Sequence, residues 1–314
     1  MNGSDMHTAE RETGATIGSA PLIEAHGLTK HYDSFSLRGI DLTVRPNEIV
    51  GLIGKNGAGK TTTIKALLGL IFADGGEASV LGAAPRDLSD GARSSLKERV
   101  GVVFDTVSVP DHLSVAEVGR IMANAFDRWD RARFIDYLKR FELEPDKRVK
   151  ELSRGMSMKL SLACALSHDP DLLILDEATA GLDPLARDDV LDLLLSFVTE
   201  PGHAVLMSSH ITSDLDKIAD TVVCIDAGRI VFCLPKDDIT DRAGIARCRE
   251  VDLDAIRASG AIATGELRCL RHARDVDVLV PDRFAFMRQL PDIPCDRMTV
   301  DDYMALMLKG GDCS

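Results

Sequence analysis

A chain of 314 residues with a net charge of -13 and 45% hydrophobic content has ample length to bury one large core or two ordinary ones. The acidic balance, with no basic stripe to offset it, argues against non-specific affinity for nucleic acid or for an anionic membrane surface. No apolar run approaches the ~18 to 20 residues that span a bilayer, and seven cysteines without a C-x-x-C pair point to reduced thiols in the cytosol.

Residues 1–20 lack an apolar signal core and read as a polar, disordered lead-in. Leu22 to Ala25 and Ile40 to Val44 read as short strands of an edge sheet, followed by a Pro46-Asn47 turn. Tyr32 lies between them, as a turn aromatic packed on the sheet or as a platform for a nucleotide base, a stacking contact worth roughly 1 to 3 kcal/mol. Glu48 to Ile53 form an apolar strand, and Gly54-Lys55-Asn56-Gly57-Ala58-Gly59-Lys60-Thr61 then spell G-x-x-x-x-G-K-T, with Thr62 next. In this pattern backbone N–H groups and a helix N-terminus face phosphate; Lys60 reaches the β- and γ-phosphates and Thr61 the Mg2+. Glycine-rich loops match the pattern by chance, but here a strand precedes it, and Ile64, Leu67, Leu68 and Ile71 follow at helical spacing.

Asp74-Gly75-Gly76-Glu77 is a turn cluster before the strand Ala78 to Leu81, and Val100 to Phe104 is a further strand ending at Asp105. From Asp111 to Phe141 the pattern is helical. Ser114 and Glu117 frame a capping box, Val115, Val118, Met122 and Ala125 share one face, and Phe134, Leu138 and Phe141 mark a second helix. This helical insert serves as packing or as a docking face. Leu152-Ser153-Arg154-Gly155-Met156-Ser157 opens the next helix.

Leu172 to Leu175 form a fully apolar strand of the buried parallel type, ending in Asp176 and Glu177. Ligands of parallel α/β sheets gather at the carboxyl ends of strands. Asp176 is therefore read as holding Mg2+ through a water and Glu177 as orienting an attacking water; a solvated turn is the alternative. Ala180 to Pro184 form a turn, Asp189 to Val198 a helix, and Ala204 to Ser208 a buried strand that stops at Ser209-His210. A histidine there can reach a γ-phosphate or serve as a satisfied structural group. Thr221 to Ile225 and Arg229 to Leu234 form a hairpin around Asp226-Ala227-Gly228. Beyond Pro235 the composition shifts to a small separate unit, with strands expected at Leu267 to Leu270 and Val276 to Val280. Its last helix is boxed by Thr299 and Asp302 and carries Val300, Tyr303, Met304, Met307 and Leu308 on one face, to cap the unit's own core or to meet a partner.

In this order the motifs resemble the ATP-binding subunit of an ABC transporter over about residues 22 to 235. The base-stacking aromatic falls on Tyr32, the phosphate loop on Gly54, Asn56, Gly57, Gly59, Lys60, Thr61 and Thr62, and the signature L-S-G-G-Q is approximated by Leu152-Ser153-Arg154-Gly155-Met156. The strand acids fall on Asp176 and Glu177, the switch histidine on His210 and the D-loop on Ala180 to Asp183. The departures are Asp105 for the Q-loop glutamine, Arg154 and Met156 in the signature, and Ala178 where proline usually follows the acids. Asp105 can still meet Mg2+ or water, while adding negative charge near the triphosphate.

The resemblance implies an α/β fold: a P-loop NTPase of ABC type with a mixed sheet core, an antiparallel edge sheet, a helical subdomain at about 106–168 and a small α+β extension at 236–314. It also implies ATP and Mg2+ as ligands, catalysis by Glu177, His210 and Lys60, and Thr61, Asp176 and Asp105 toward the metal. Two cassettes, as a homodimer or heterodimer, stack head to tail, so that Ser153, Gly155 and Asp183 serve the composite nucleotide sites. An integral-membrane permease is the expected partner, with no nucleic acid, and it places the chain peripherally on the cytoplasmic face of the membrane. The cassette with its extension is similar to bacterial ABC-2 type exporter ATPases. The competing readings are a soluble ABC-type nucleotide-dependent binding protein and a regulatory switch that barely hydrolyses ATP, the latter motivated by Asp105.

Overall fold

The computed structural model describes residues 20–85, 90–105, 109–263 and 267–313. The expected lead-in, save its last residue, and residues 106–108 of the helical insert lie outside the described residues.

Strands β1 (Ile23–Tyr32) and β2 (Phe35–Val44) form an antiparallel hairpin, with β4 (Gly75–Val80) antiparallel on the other edge of β1. Both hairpin strands run longer than the sequence pattern suggests. The register shifts between Ala25 and Leu28, where Gly27 takes a φ of 58°, so the apolar alternation breaks and resumes out of phase. Tyr32 is consequently the last residue of a strand at the hairpin tip, rather than a residue between two separate strands.

The central sheet contains β3 (Ile49–Ile53), β5 (Val100–Val103), β6 (Leu172–Asp176), β7 (Ala204–Ser209), β8 (Thr221–Asp226) and β9 (Arg229–Pro235), in the order β5-β6-β7-β3-β8-β9. All neighbours are parallel except β8 and β9. Every residue of β3, β6 and β7 is buried, which is why they read as continuous apolar runs. Alternate side chains still sort by face. Ile49, Ile53, Leu173, Leu175, Val205 and Met207 join one core, beneath α3 (Val115–Ala125), α4 (Arg131–Arg140), α5 (Arg154–Leu166), α6 (Pro184–Val198) and α7 (Thr212–Ile218). Val50, Leu52, Leu172, Ile174 and Leu206 join the other, with α1 (Lys60–Leu67) and the antiparallel sheet. Helix α1 stops at Leu67, so Leu68 and Ile71 pack on that core from beyond its end. Helix α2 (Asp90–Arg99), mostly polar with Leu96 packed on the core shared with α1, has no counterpart in the sequence reading.

The β8–β9 turn holds Ala227 and Gly228 at φ 45° and 74°, the left-handed pair that a tight hairpin requires. A Cβ on Gly228 would sit 1.9 Å from Ser36 O. This approach lets Gly228 N–H donate to Ala58 O at 2.9 Å while its carbonyl accepts Arg38 N–H at 2.8 Å. The turn thereby ties the phosphate loop to β2.

The last sheet is antiparallel, of β10 (Gly244–Cys248), β11 (Arg268–Arg271), β12 (Val276–Val280), β13 (Cys295–Arg297) and β14 (Gly311–Asp312), ordered β13-β10-β12-β11-β14. With α8 (Leu253–Ser259) and α9 (Arg283–Gln289) it builds its own core around Ile256, Val278 and Phe286. Cys269 and Cys313 are joined in a disulfide with Cα atoms 6.0 Å apart, correcting the expectation that all seven thiols are reduced. The pairing was hidden because the two residues lie 44 positions apart and meet only when β14 adds to β11. Helix α10 (Val300–Lys309) has the expected Thr299/Asp302 capping box. It is shared: Leu306 packs beneath the last sheet, whereas Val300, Met304 and Leu308 join the core of the central sheet.

Candidate active site

The phosphate loop leaves β3 at Gly54 and enters α1 at Lys60. Its glycines are fixed by space as well as by torsion. A Cβ on Gly54 would lie 2.2 Å from Ile225 O, and one on Gly59, held at φ 120°, would lie within 2.9 Å of both Leu37 and Phe35. Lys60 is 5% exposed, and an ammonium so buried must be paired. Its Nζ donates to Gly54 O at 2.7 Å and lies 3.1 Å from Glu177 Oε1.

Asp176 ends β6 and is 2% exposed; the Ser208 hydroxyl on β7 donates to its Oδ1 at 2.5 Å. The next residue turns sharply. Glu177 has a φ of 57°, a left-handed conformation that costs a non-glycine residue about 1–3 kcal/mol. Ser208 holds it there, accepting Glu177 N–H at its carbonyl (3.1 Å) and its hydroxyl (3.2 Å). The turn aims the carboxylate back between Lys60 and His210. His210 follows β7 and bonds Glu177 Oε2 through both its backbone N–H, at 3.3 Å, and its Nδ1. Burial pushes the Glu177 carboxyl upward, but hydrogen bonds from His210 and Lys60, with their charges, bring it below its ordinary value. An ionised carboxylate only accepts, so Nδ1 of His210 carries the proton.

The structure thus brings Lys60, Asp176, Glu177 and His210 together at the carboxyl ends of β3, β6 and β7. A cleft of about 260 Å3 opens beside them, lined by Gly54, Lys55, Asn56, His210, Thr212 and Met304. A larger groove of about 650 Å3 between α3 and α4 holds no acid–base pair; the chemistry resides in the smaller cleft. Among the described residues no group of three or more His, Cys, Asp or Glu side chains could hold a metal. The donors present at the loop, the Asp176 carboxylate and the Thr61 hydroxyl, are hard oxygens few in number, which suits Mg2+ shared with phosphate oxygens.

Other expected residues lie apart from this cluster. Tyr32 is 46% exposed at its hairpin tip, with Lys30 Nζ 5.5 Å from the ring centroid. Asp105 emerges at the same sheet end, since Val103 pairs with Leu175, but it is exposed and forms no hydrogen bond or ion pair among the described residues. Ser153 caps α5, accepting Met156 N–H at 3.2 Å, and Asp183 caps α6, accepting Ala186 N–H at 3.0 Å. That backbone bond lowers the Asp183 pKa. The two turns pack on each other: a Cβ on Gly155 would lie 3.3 Å from Leu182, and one on Gly181 would lie 2.9 Å from Arg154. No hydrogen bond links Ser153 or Gly155 to the phosphate loop among the described residues. The sequence reading missed Ser208, whose signal was a pair of serines closing an otherwise apolar strand, and Met304, which carried no local signal.

A parallel sheet that presents a glycine-built phosphate loop, a buried lysine and two strand-end acids defines a P-loop nucleotide hydrolase. The ABC transporter family model matches residues 37–180. Over 287 residues the chain is 34% identical to Nod factor export ATP-binding protein I of Ralstonia nicotianae, covering 86% of this chain and 87% of that protein. Over 264 residues it is 35% identical to the daunorubicin/doxorubicin resistance ATP-binding protein DrrA of Streptomyces peucetius, covering 81% and 78%. A solved ATP-binding subunit of an ABC transporter matches with TM-score 0.63 at 29% identity, over 69% of this chain and 91% of that one. A dimeric ATP-binding cassette solved with ADP and phosphate shares the fold, with TM-score 0.62 at 21% identity over 68% and 98%. The chain belongs to the ABC transporter family, as an ATP-binding subunit that hydrolyses ATP to drive transport.

Proposed function

We propose that this chain energises export through a separate integral-membrane permease, pairing head to tail with a second cassette on the cytoplasmic face of the membrane. The observation that carries this reading is the convergence of Lys60 and His210 on Glu177 at the carboxyl ends of β3, β6 and β7. Residues 22–235 act as the cassette, residues 106–168 as its helical subdomain and 236–314 as an accessory unit. Among the described residues no helix is long and apolar enough to cross a membrane, which is consistent with a separate permease. A groove of about 360 Å3 lined by Phe104, Val118, Met122 and Leu160 offers that subunit a docking face on the helical insert.

In the proposed mechanism the loop N–H groups from Gly54 to Thr62, with Asn56, Gly57 and Gly59, cradle the phosphates, and Tyr32 stacks on the base. Thr61 and Asp176 would hold Mg2+, with Asp105 able to approach it, and when bound the ion would supply positive charge to offset that of the phosphate oxygens. Lys60 leaves Glu177 for the β- and γ-phosphates, stabilising negative charge without a covalent step. Glu177, freed on one side, orients and polarises the water that attacks the γ-phosphorus. The bond from that phosphorus to the β,γ-bridging oxygen breaks, ADP leaves, and the proton of the water passes by way of the carboxylate to the released phosphate, while His210 holds the carboxylate and the γ-phosphate in register. Ser153, Gly155 and Asp183 cover the nucleotide of the second cassette.

The test is ATP turnover and affinity purification from native membranes. Lys60→Ala is expected to lose nucleotide binding or turnover, and the parent to bring down an integral-membrane subunit. Ribosome or DNA association without such a subunit would sink the transport reading.

A further inference from the structure

Two residues beyond His210 the chain enters α7, and α7 is covered by α10. Val300 N–H, at the start of α10, donates to Asp216 Oδ1 on α7 at 3.0 Å. Val300 itself is fully buried, and Tyr303, Met304, Met307 and Leu308 pack against the core of the central sheet. The Tyr303 ring meets Phe232 of β9 edge-on with centroids 4.9 Å apart. Most telling is Met304, which reaches the cleft wall formed by Gly54, Lys55, Asn56, His210 and Thr212. The other side of α10 is anchored in the last sheet. Leu306 packs with Ile245, Leu279 and Met298, and Met307 O accepts a hydrogen bond from Arg268 of β11 at 3.0 Å.

Asp216 offers its carboxylate to a helix start, where unpaired N–H groups and the helix dipole favour an acceptor. Burial, with Asp302 and Asp301 nearby, raises the Asp216 carboxyl above its ordinary value, against the pull of the Val300 hydrogen bond and of Lys236. An exposed amphipathic helix would have no need of such a partner. The seam instead fixes α7, and α7 sets where the preceding residues place the histidine.

We propose that Asp216 and Met304 are positioning residues for His210, so that α10, a helix outside the catalytic sheet, sets the rate of hydrolysis. This rests on the reading of His210 as the group that holds Glu177. The seating of α10 acts on the chemical step more than on the affinity for nucleotide: Met304 meets the phosphate loop at the cleft wall, but the loop backbone is also braced by Gly228 and Ile225.

The experiment measures kcat and KM for ATP, with unfolding temperature, on the full chain. Asp216→Ala and Met304→Ala are expected to lower kcat at least tenfold with KM changed less than threefold. Asp216→Asn, which keeps an acceptor oxygen, is expected to restore most of the rate. In a His210→Ala background Asp216→Ala is expected to cause no further loss, since both changes act through one group. Ile256→Ala, in the core of the last sheet, is expected to lower the unfolding temperature with kcat retained. Parental kcat in both Asp216→Ala and Met304→Ala, or additive losses with His210→Ala, would overturn the proposal, as would an equal loss of kcat in Ile256→Ala. Full turnover by His210→Ala would instead overturn the reading of the histidine on which the proposal stands.

Discussion

Ser208 holds the buried carboxylate of Asp176 across two neighbouring strands, hydroxyl to Oδ1 at 2.5 Å, while its carbonyl fixes the left-handed backbone of Glu177. One serine therefore supports both strand-end acids. Ser208→Ala leaves a buried charged acceptor without its donor, an omission worth about 1–3 kcal/mol. Urea unfolding should show that loss, and the Mg2+ concentration for half-maximal turnover should shift. A parental unfolding midpoint would contradict the role.

Glu177→Gln keeps the length of the side chain and one acceptor oxygen, but its amide NH2 cannot accept, so the contact to either Lys60 or His210 is lost together with the charge that polarises water. Turnover should fall by about 10^2 to 10^4, the usual reach of general acid–base assistance. Nucleotide binding should persist, measured by equilibrium titration with ATP. Loss of binding together with turnover would point to a role in holding ATP rather than in its hydrolysis.

The same carboxyl has a pH signature. Its folded pKa lies below the ordinary value because of His210 and Lys60, despite burial. A depressed carboxyl contributes stability above its unfolded pKa of about 4.3 and loses it as pH falls through the folded pKa. The stability difference between the parent and Glu177→Gln should be flat above about pH 5.5 and shrink below about pH 4. Denaturant unfolding at a series of pH values checks this, and a difference that grows in acid would refute it.

Thiol chemistry separates the cysteines. The thiolate is the reactive form, and burial pushes the Cys164 and Cys224 thiols up to about 12. Cys233 is exposed. Maleimide at neutral pH should modify Cys233 first and reach Cys164 and Cys224 only after unfolding, as read by peptide mass spectrometry. Reduction of the bond between Cys269 and Cys313 should release two further thiols and destabilise the last sheet by up to about 4 kcal/mol, the chain-entropy value for a loop of this length.

Much of this fold was legible because parallel strands write themselves plainly. Leu172 to Leu175 and Ala204 to Met207 had to be buried on both faces, and each stops at the polar residues of the acid cluster, Asp176 and Ser208. Capping boxes at Ser114 and Thr299 were equally visible, being local hydrogen-bond chemistry. What escaped depended on distance along the chain. The bulge at Gly27 disguised β1, α2 turns a lone leucine, Leu96, to the core, too little for a helical period to show, and neither the disulfide nor the contact of Met304 with the cleft could be read from neighbours. The Glu177 backbone conformation was also invisible, because its support comes from Ser208 on another strand.

The Gly228 turn gives the phosphate loop an order of assembly. The Ala58 carbonyl accepts from Gly228 N–H, in a hairpin encoded much later, and the Cβ side of Gly54 is walled by Ile225 of the same hairpin. During synthesis the loop is therefore translated early and completed late, after β8 and β9 have left the ribosome. A nascent chain truncated before Gly228 carries every residue of the phosphate motif and lacks the backbone group that ties it to β2.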